Sequence, residues 1–326
     1  MVFRMPPEWA PQDWLWIGFP HDGEEWPGIL ERAQEQVAAF ANAVADSGQA
    51  VRLLVRDETN EARAADLVGT GVTLERRIYG DIWLRDTGPL VLSDGDTRKA
   101  ARFAFNGWGG KYRMAGDETV GAALAGDAGL ALDTHGWVLE GGAVDGDGTG
   151  LCLTTEQCLL NANRNPSLSR GDIEQRLHRD LGFERVVWLG DGLLNDHTDG
   201  HVDTLARFVA PGVVALPFAT ERDDPNRAVY NDARDRLRAA GLAVRDIPSP
   251  GRIERDGVVE PASYANFAIT SHLVVVPTFG VANDADAVMQ ISALFPDRDT
   301  IGLPADAVLA GGGGFHCASQ QMPSRA

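Results

Sequence analysis

The strongest constraint on the fold is an order of elements that keeps returning. Short apolar runs and amphipathic stretches alternate along the whole chain, in blocks of roughly 50 to 70 residues. Residues 14–19 form an apolar run closed by Pro20 and read as a buried strand. Ile29, Leu30, Val37, Phe40, Ala41 and Val44 recur at helical spacing, and Gly48 stops that helix. A strand over 51–55, a short helix near 60–68 and a strand near 72–79 follow. Residues 90–92 and 101–105 read as strands joined by a Ser-Asp-Gly-Asp turn. The order then recurs: a helix over 118–125, strands over 137–140 and 151–154, a helix over 168–181 and a strand over 185–189. Residues 202–209 and 213–217 read as a hairpin, 225–240 as a helix with proline in its first turn, and 243–247 as a strand. A second hairpin, 265–269 with 273–277, precedes a helix over 285–295. No low-complexity linker interrupts this, so residues 1–326 read as one α/β domain.

Composition narrows the function. With 44% hydrophobic residues the chain can bury a sizeable core. Asp plus Glu is 47 against 29 Lys plus Arg, a net charge of −18. Such a surface repels nucleic acid and anionic membrane and favours cationic ligands. The first nine residues carry one arginine, two prolines and no apolar core of a signal peptide. No run of about 18 apolar residues exists to span a bilayer. Three cysteines argue against a disulfide framework and for a reducing, cytoplasmic setting. Cys152 and Cys158 lie in apolar stretches and read as core, whereas Cys317 does not.

Cys317 ends the run Gly311-Gly312-Gly313-Gly314-Phe315-His316-Cys317. Glycines let the backbone approach other groups closely, and a thiol delivered by such a turn is a candidate nucleophile. A second cluster is Asp196-His197-Thr198-Asp199-Gly200-His201-Val202-Asp203. Its residue types suit a divalent metal, but no third ligand of defined spacing accompanies them. Read as a strand, it places His201 and Asp203 on one face, a base beside a carboxylate, with Val202 in the core. Asp86 lies in Trp83-Leu84-Arg85-Asp86-Thr87-Gly88-Pro89; the second Asp-Thr-Gly of an aspartic protease is absent. Glu140 ends an apolar run before two glycines. Asp145, Asp147, Gly150 and Glu156 match part of a calcium-loop pattern, but their flanks read as strands, so a tight turn is expected there.

Taken together these stretches resemble the agmatine deiminase and bacterial peptidyl-arginine deiminase family of guanidine-modifying enzymes. The likeness runs nearly end to end. It includes Met5-Pro6-Pro7-Glu8-Trp9, Phe19-Pro20-His21, Trp26-Pro27-Gly28 and Asp81-Ile82-Trp83-Leu84-Arg85-Asp86-Thr87-Gly88-Pro89. Phe105-Asn106-Gly107-Trp108-Gly109-Gly110-Lys111-Tyr112, Leu139-Glu140-Gly141-Gly142 and Asn163-Arg164-Asn165-Pro166 follow. Thr198-Asp199-Gly200-His201-Val202-Asp203, Tyr264-Ala265-Asn266-Phe267 and Gly313-Gly314-Phe315-His316-Cys317 complete it. The resemblance implies a five-bladed α/β propeller of ββαβ units with a central site. It implies Cys317 as nucleophile, His201 as general acid and base, Asp86 and Asp203 as substrate carboxylates, and Glu140 as support for the histidine. Trp83 and Asn266 are implied in the substrate pocket. The implied reaction converts agmatine to N-carbamoylputrescine and ammonia, with no metal and no organic cofactor. The chain departs from the family pattern at Gly80, at Gly314-Phe315 and at Ala318-Ser319.

The expected partner is a small cationic guanidine, with neither nucleic acid nor membrane, and a homo-oligomer is compatible with the sequence. Three readings compete with agmatine hydrolysis. One is a deiminase of peptidyl-arginine, arginine or another guanidino compound. Another is a metal-dependent amidohydrolase built on His197, Asp199, His201 and Asp203. The third is a guanidinium-binding module without catalysis, which would be expected to have lost the cysteine or the histidine.

Overall fold

The computed structural model describes residues 2–325. Its strands form five sheets of three or four strands and a two-stranded ribbon, Glu254–Arg255 with Val258–Val259. Every sheet repeats one internal order. Two strands pair antiparallel, a helix crosses over, and a further strand returns parallel to its neighbour. Parallel return needs such a crossover, because a tight turn can only join antiparallel strands.

The first sheet joins the ends of the chain. Ser319–Pro323 pairs antiparallel with Gln12–Gly18, the helix Leu30–Asp46 crosses over, and Ala50–Val55 and then Val72–Arg76 add in parallel. In the second, Leu90–Ser93 pairs with Arg98–Ala104, and Ala131–Val138 returns after the helix Asp117–Asp127. The third is Asp145–Gly146, Leu151–Thr155 and Arg185–Leu189, with Arg170–Leu181 crossing over. The fourth is Arg207–Ala210, Val213–Phe218 and Ala243–Pro248 about Arg227–Ala239. The fifth is Ala268–Ile269, Leu273–Thr278 and Asp299–Pro304 about Asp284–Ser292. The recurrence is one of elements and not of residues, so the sequence shows only its outline.

Local chemistry explains most boundaries. In Leu30–Asp46 the residues Ala33, Val37, Phe40, Ala41 and Val44 are fully buried, the stripe that the spacing predicts. Arg170–Leu181 starts at Ser169 with a reciprocal capping box to Asp172 and stops at the left-handed Gly182. Asp145 and Asp147 stand in a hairpin between Asp145–Gly146 and Leu151–Thr155, the tight turn expected in place of a calcium loop. Asp147 Oδ1 accepts the backbone N–H groups of Thr149 and Leu151 there.

Several expectations need correction. Residues 202–209 are not one strand: Val202–Leu205 is a helical turn, closed by the Ala206 N–H on the Val202 carbonyl at 2.8 Å, and the strand is Arg207–Ala210. Val202 is buried, but His201 and Asp203 are brought together by that turn and not by strand alternation. In the second hairpin Tyr264–Asn266 is a 3-10 turn, and only Ala268–Ile269 is strand. The strand expected at 137–140 begins at Ala131 and ends at Val138. Pro225 lies just before the helix Arg227–Ala239. The strand Asp299–Pro304, the helix Asp306–Ala310 and the strand Ser319–Pro323 carry no clear periodic signal. Ser319–Pro323 is mostly polar and yet buried; Gln320, for example, donates from its side chain to the Pro89 carbonyl at 2.8 Å. Among the described residues no helix is long and apolar enough to cross a membrane.

Candidate active site

The nucleophile candidate sits on the loop between the helix Asp306–Ala310 and the strand Ser319–Pro323. Its backbone is held from two sides. The Cys317 carbonyl accepts the Arg85 N–H at 3.0 Å, and its N–H donates to Asn266 Oδ1 at 3.3 Å. Gly313 shows why the run before it is glycine. A Cβ there would lie 2.9 Å from both Cys317 Cβ and the Trp83 ring, inside any real contact distance. The thiol and the indole close on each other only because position 313 has no side chain.

The other six residues implied in the site gather about this thiol and about His201. Sγ accepts from the Asn266 side-chain amide at 3.0 Å and donates to Asp203 Oδ2 at 3.4 Å. Asp86 comes from the helical turn Leu84–Thr87, where Oδ2 accepts the Trp108 indole N–H at 2.8 Å and Oδ1 accepts the Gly142 N–H at 2.9 Å. His201 Nδ1 lies 3.6 Å from Asp86 Oδ1, and His201 Nε2 lies 4.0 Å from Glu140 Oε2. Glu140 is anchored through its other oxygen by Arg164 Nε at 2.6 Å. Trp83 and Asp86 line a cavity of about 560 Å³ that reaches Cys317 and opens past Trp108, Tyr112 and Glu25.

Three of these groups were not marked as functional by the sequence. Trp108 fixes Asp86, and its left-handed backbone (φ 50°), which few non-glycine residues adopt, aims the indole inward. Arg164 neutralises Glu140 and also binds Asp199 Oδ2 at 2.7 Å. Cys158 is buried as a core residue, and it also stands beside His201. Both arginine and tryptophan lie in motifs that carry the family resemblance, which is the one signal that could have flagged them.

The electrostatics follow from burial among carboxylates. Burial pushes the Cys317 thiol well up, and Asp203 and Asp86 push it further by repelling the thiolate. Burial works against the His201 imidazolium, but Asp86 first, then Cys158 and Glu140, outweigh it and raise its proton affinity well above the ordinary value. Burial also opposes the Asp203 charge; His316, then His201 and Arg207, overcome it and bring that carboxyl down to about 2. Both ring nitrogens of His201 and the oxygens Glu140 Oε2 and Asp203 Oδ1 are buried without a hydrogen-bond partner. Such atoms are costly in a finished core and mark a place for a ligand.

A metal would have one place to go among the described residues. Glu140, Cys158 and His201 bring ligand atoms within 4.8 Å of one another. Arg164 already neutralises Glu140, and burial raises the Cys158 thiol, so the thiolate a metal needs is disfavoured. The set His197, Asp199, His201 and Asp203 is not gathered as a ligand group. Asp199 is engaged by Lys111, Asn163 and Arg164, and Asp203 by His316.

Gly142 is a tight point between two groups of the site. A Cβ there would stand 2.7 Å from His201 Nδ1 and 2.9 Å from Asp86 Oδ1, so both buried groups would have to shift. Gly142→Ala is expected to lower kcat/KM by about 100-fold, because displacements near 1 Å at reacting groups cost that much. Steady-state kinetics beside a thermal melt checks it; retained activity would show that His201 and Asp86 tolerate displacement.

A buried thiol faced by carboxylates and a histidine, on α/β sheets of this order, defines the class: a guanidine-modifying hydrolase. Within that class the chain belongs to the Porphyromonas-type peptidyl-arginine deiminase family, whose sequence model matches residues 4–323. It is 36% identical to the agmatine deiminase of Stutzerimonas stutzeri (strain A1501), over 99% of this chain and 96% of that one. Its structure is similar to that of the agmatine deiminase of Enterococcus faecalis, with a TM-score of 0.93 at 31% identity, covering 99% and 96% of the two chains. A cysteine-to-serine variant of the C. jejuni agmatine deiminase with substrate bound is as similar, with a TM-score of 0.93 at 28% identity over 99% and 97%.

Proposed function

We propose that the chain hydrolyses agmatine to N-carbamoylputrescine and ammonia, with Cys317 as nucleophile. The observation that carries this reading is the placement of Cys317 Sγ beside Asp203 and Asn266 at the floor of an acidic cavity. Asp86 and Asp203 accept guanidinium N–H groups and hold the central carbon before Sγ. Trp83 and Trp108 line the same cavity and put aromatic surface beside the cation. The bound cation offsets the repulsion from Asp203 and Asp86, the Cys317 thiol releases its proton to solvent, and the thiolate Sγ bonds to the carbon. His201 protonates one nitrogen of the tetrahedral adduct, the C–N bond breaks and ammonia leaves. His201 then takes a proton from water, whose oxygen attacks the S-alkylthiouronium carbon. The C–S bond breaks, and the urea product departs with the thiol restored. Glu140, held by Arg164, supports the imidazolium.

The rim favours a substrate with a second positive charge and no carboxylate. Glu24, Glu25 and Asp256 line it, and Arg255 beside them is already bound to Glu260 at 2.9 Å and to the Asp306 carbonyl at 2.9 Å. An α-carboxylate of arginine would meet acidic groups there. The five sheets of shared order support an arrangement as blades of a propeller around this site, in one domain. In that reading the protein works in the cytoplasm on a small cationic guanidine.

Ammonia release from agmatine, arginine and a peptidyl-arginine, measured in parallel, tests the reading. Turnover of agmatine well above the other two is expected. A preference for peptidyl-arginine would replace the substrate and keep the chemistry.

The raised Cys317 thiol adds a pH prediction. Free enzyme holds the thiol protonated at neutral pH, and a bound cation offsets the repulsion from Asp203 and Asp86. Thiolate absorbance, taken as the difference between wild type and Cys317→Ala, is therefore expected to appear at lower pH when acetamidinium is present. A displacement of about one unit or more is expected for a neighbouring opposite charge. An unmoved titration would remove substrate-assisted ionisation.

A further inference from the structure

Behind the nucleophile lies a line of buried charged groups that the proposed chemistry leaves unused. His316 joins two carboxylates: Nδ1 is 2.7 Å from Asp203 Oδ2, and Nε2 is 2.9 Å from Glu8 Oε2. Glu8 is also ion-paired with the fully buried Arg207, accepts the Ile269 N–H at 2.8 Å and lies 4.0 Å from Arg85. Burial opposes charge on Glu8, yet Arg207, then His316 and Arg85, hold its carboxyl well below the usual range. Both ring nitrogens of His316 are engaged by these two carboxylates. The ring beside Cys317 is thereby fully used in holding its neighbours.

The effect of this line falls on Asp203. Its Oδ2 takes His316 at 2.7 Å and the Asn266 amide at 3.3 Å, while its Oδ1 is buried with no partner. The Asp203 carboxyl carbon lies 3.2 Å from the position a Gly142 Cβ would take, the same point that His201 Nδ1 and Asp86 Oδ1 surround. The carboxyl therefore shares the guanidinium slot, and Oδ1 is the oxygen left to accept from it. A half turn about Cβ–Cγ only exchanges equivalent oxygens, but a turn of about a quarter would point neither oxygen into the slot; His316 holds the carboxylate plane while its own ring is held at the other nitrogen.

We propose that Glu8, acting through His316, is a positioning residue that fixes the plane of the Asp203 carboxylate so that its unpartnered oxygen faces the guanidinium. The amino-terminal segment is then part of the catalytic unit, although Glu8 and His316 are separated by almost the whole sequence. The inference rests on the reading of Asp203 as a guanidinium carboxylate.

Two alkylating reagents separate these layers. Chloroacetamidine is a planar cation that uses the guanidinium slot; iodoacetamide is neutral and reads the thiol alone. In each case a C–S bond forms at Sγ, halide leaves and the thiol proton goes to solvent. Rates of adduct formation at Cys317, followed by peptide mass, give a ratio that largely cancels the thiolate fraction. Wild type is expected to favour chloroacetamidine. Glu8→Gln and His316→Asn are each expected to lose that preference about tenfold, with KM for agmatine rising more than kcat falls. If Glu8→Gln does not fold, His316→Asn still decides, because it leaves the Glu8–Arg207 pair in place. An unchanged ratio in a folded variant overturns the positioning role and leaves Glu8 a structural residue. A wild type without preference for the cation overturns the reading of the slot itself, and the positioning role with it.

Discussion

Cys317→Ala is expected to reduce ammonia release from agmatine by on the order of 10⁴-fold or more. The argument is one of position and of alternatives. Sγ is the thiol that meets Asp203, Asn266 and the cavity. Cys152 and Cys158 are wholly buried in an apolar cluster, and burial raises both thiols. Neither can take over the attack. The substitution removes one sulfur from a loop whose backbone contacts to Arg85 and Asn266 remain, so the fold is retained and a thermal melt should move by a few degrees at most. Ammonia assay and melt together separate lost chemistry from lost structure. Turnover that survives the mutation would end the thiol mechanism. It would direct attention to a metal held without sulfur from Cys317, for which Glu140, Cys158 and His201 are the gathered donors.

His201→Gln carries the second largest effect, a fall in kcat of about 10²- to 10⁴-fold, the range for a general acid–base group. His201 is placed to serve both halves of the reaction. Nδ1 faces Asp86 and the slot, Nε2 faces Glu140, and neither nitrogen is consumed by another hydrogen bond. Its raised proton affinity, from Asp86 first and then Cys158 and Glu140, keeps it charged as an acid for ammonia departure. Loss of that charge leaves Asp86, Glu140 and Asp203 together with less cation among them. Glutamine keeps the hydrogen-bonding capacity and the approximate size but cannot carry the proton. A loss in kcat with a small change in KM is the expected split, measured by steady-state kinetics. A variant within tenfold of wild type would mean that the proton comes from elsewhere. His316 is already engaged on both sides by Asp203 and Glu8 and is poorly placed to be that source.

Much of the scaffold was legible because its signals are local. The stripe along Leu30–Asp46, the serine cap of Arg170–Leu181 and the turn between Leu90–Ser93 and Arg98–Ala104 each lie within a few residues of sequence. Elements without local signals were missed. Ser319–Pro323 is polar and becomes a strand only because Gln12–Gly18, from the other end of the chain, offers it a partner. The stretch 202–209 is apolar enough for a strand, but a helical turn forms at its start, where His201 and Asp203 must both reach the site.

The site divides in the same way. Residue types and their neighbours in sequence were enough to single out Cys317, His201, Asp86, Asp203, Glu140, Trp83 and Asn266, because a thiol, a base, carboxylates and glycine turns are unusual in combination. Sequence could not say which oxygen of Asp203 is free, that Trp108 and Gly142 hold Asp86, or that Arg164 neutralises Glu140. Nor could it connect Glu8 with His316. Those facts depend on distances of a few ångströms between groups far apart in the chain, and on burial, which sets both the strength of each charge interaction and the cost of leaving an atom unpaired. The sequence alone determined the chemistry available to this protein; the tertiary structure decided which atoms face one another, because only packing converts residues distant along the chain into neighbours at hydrogen-bond range.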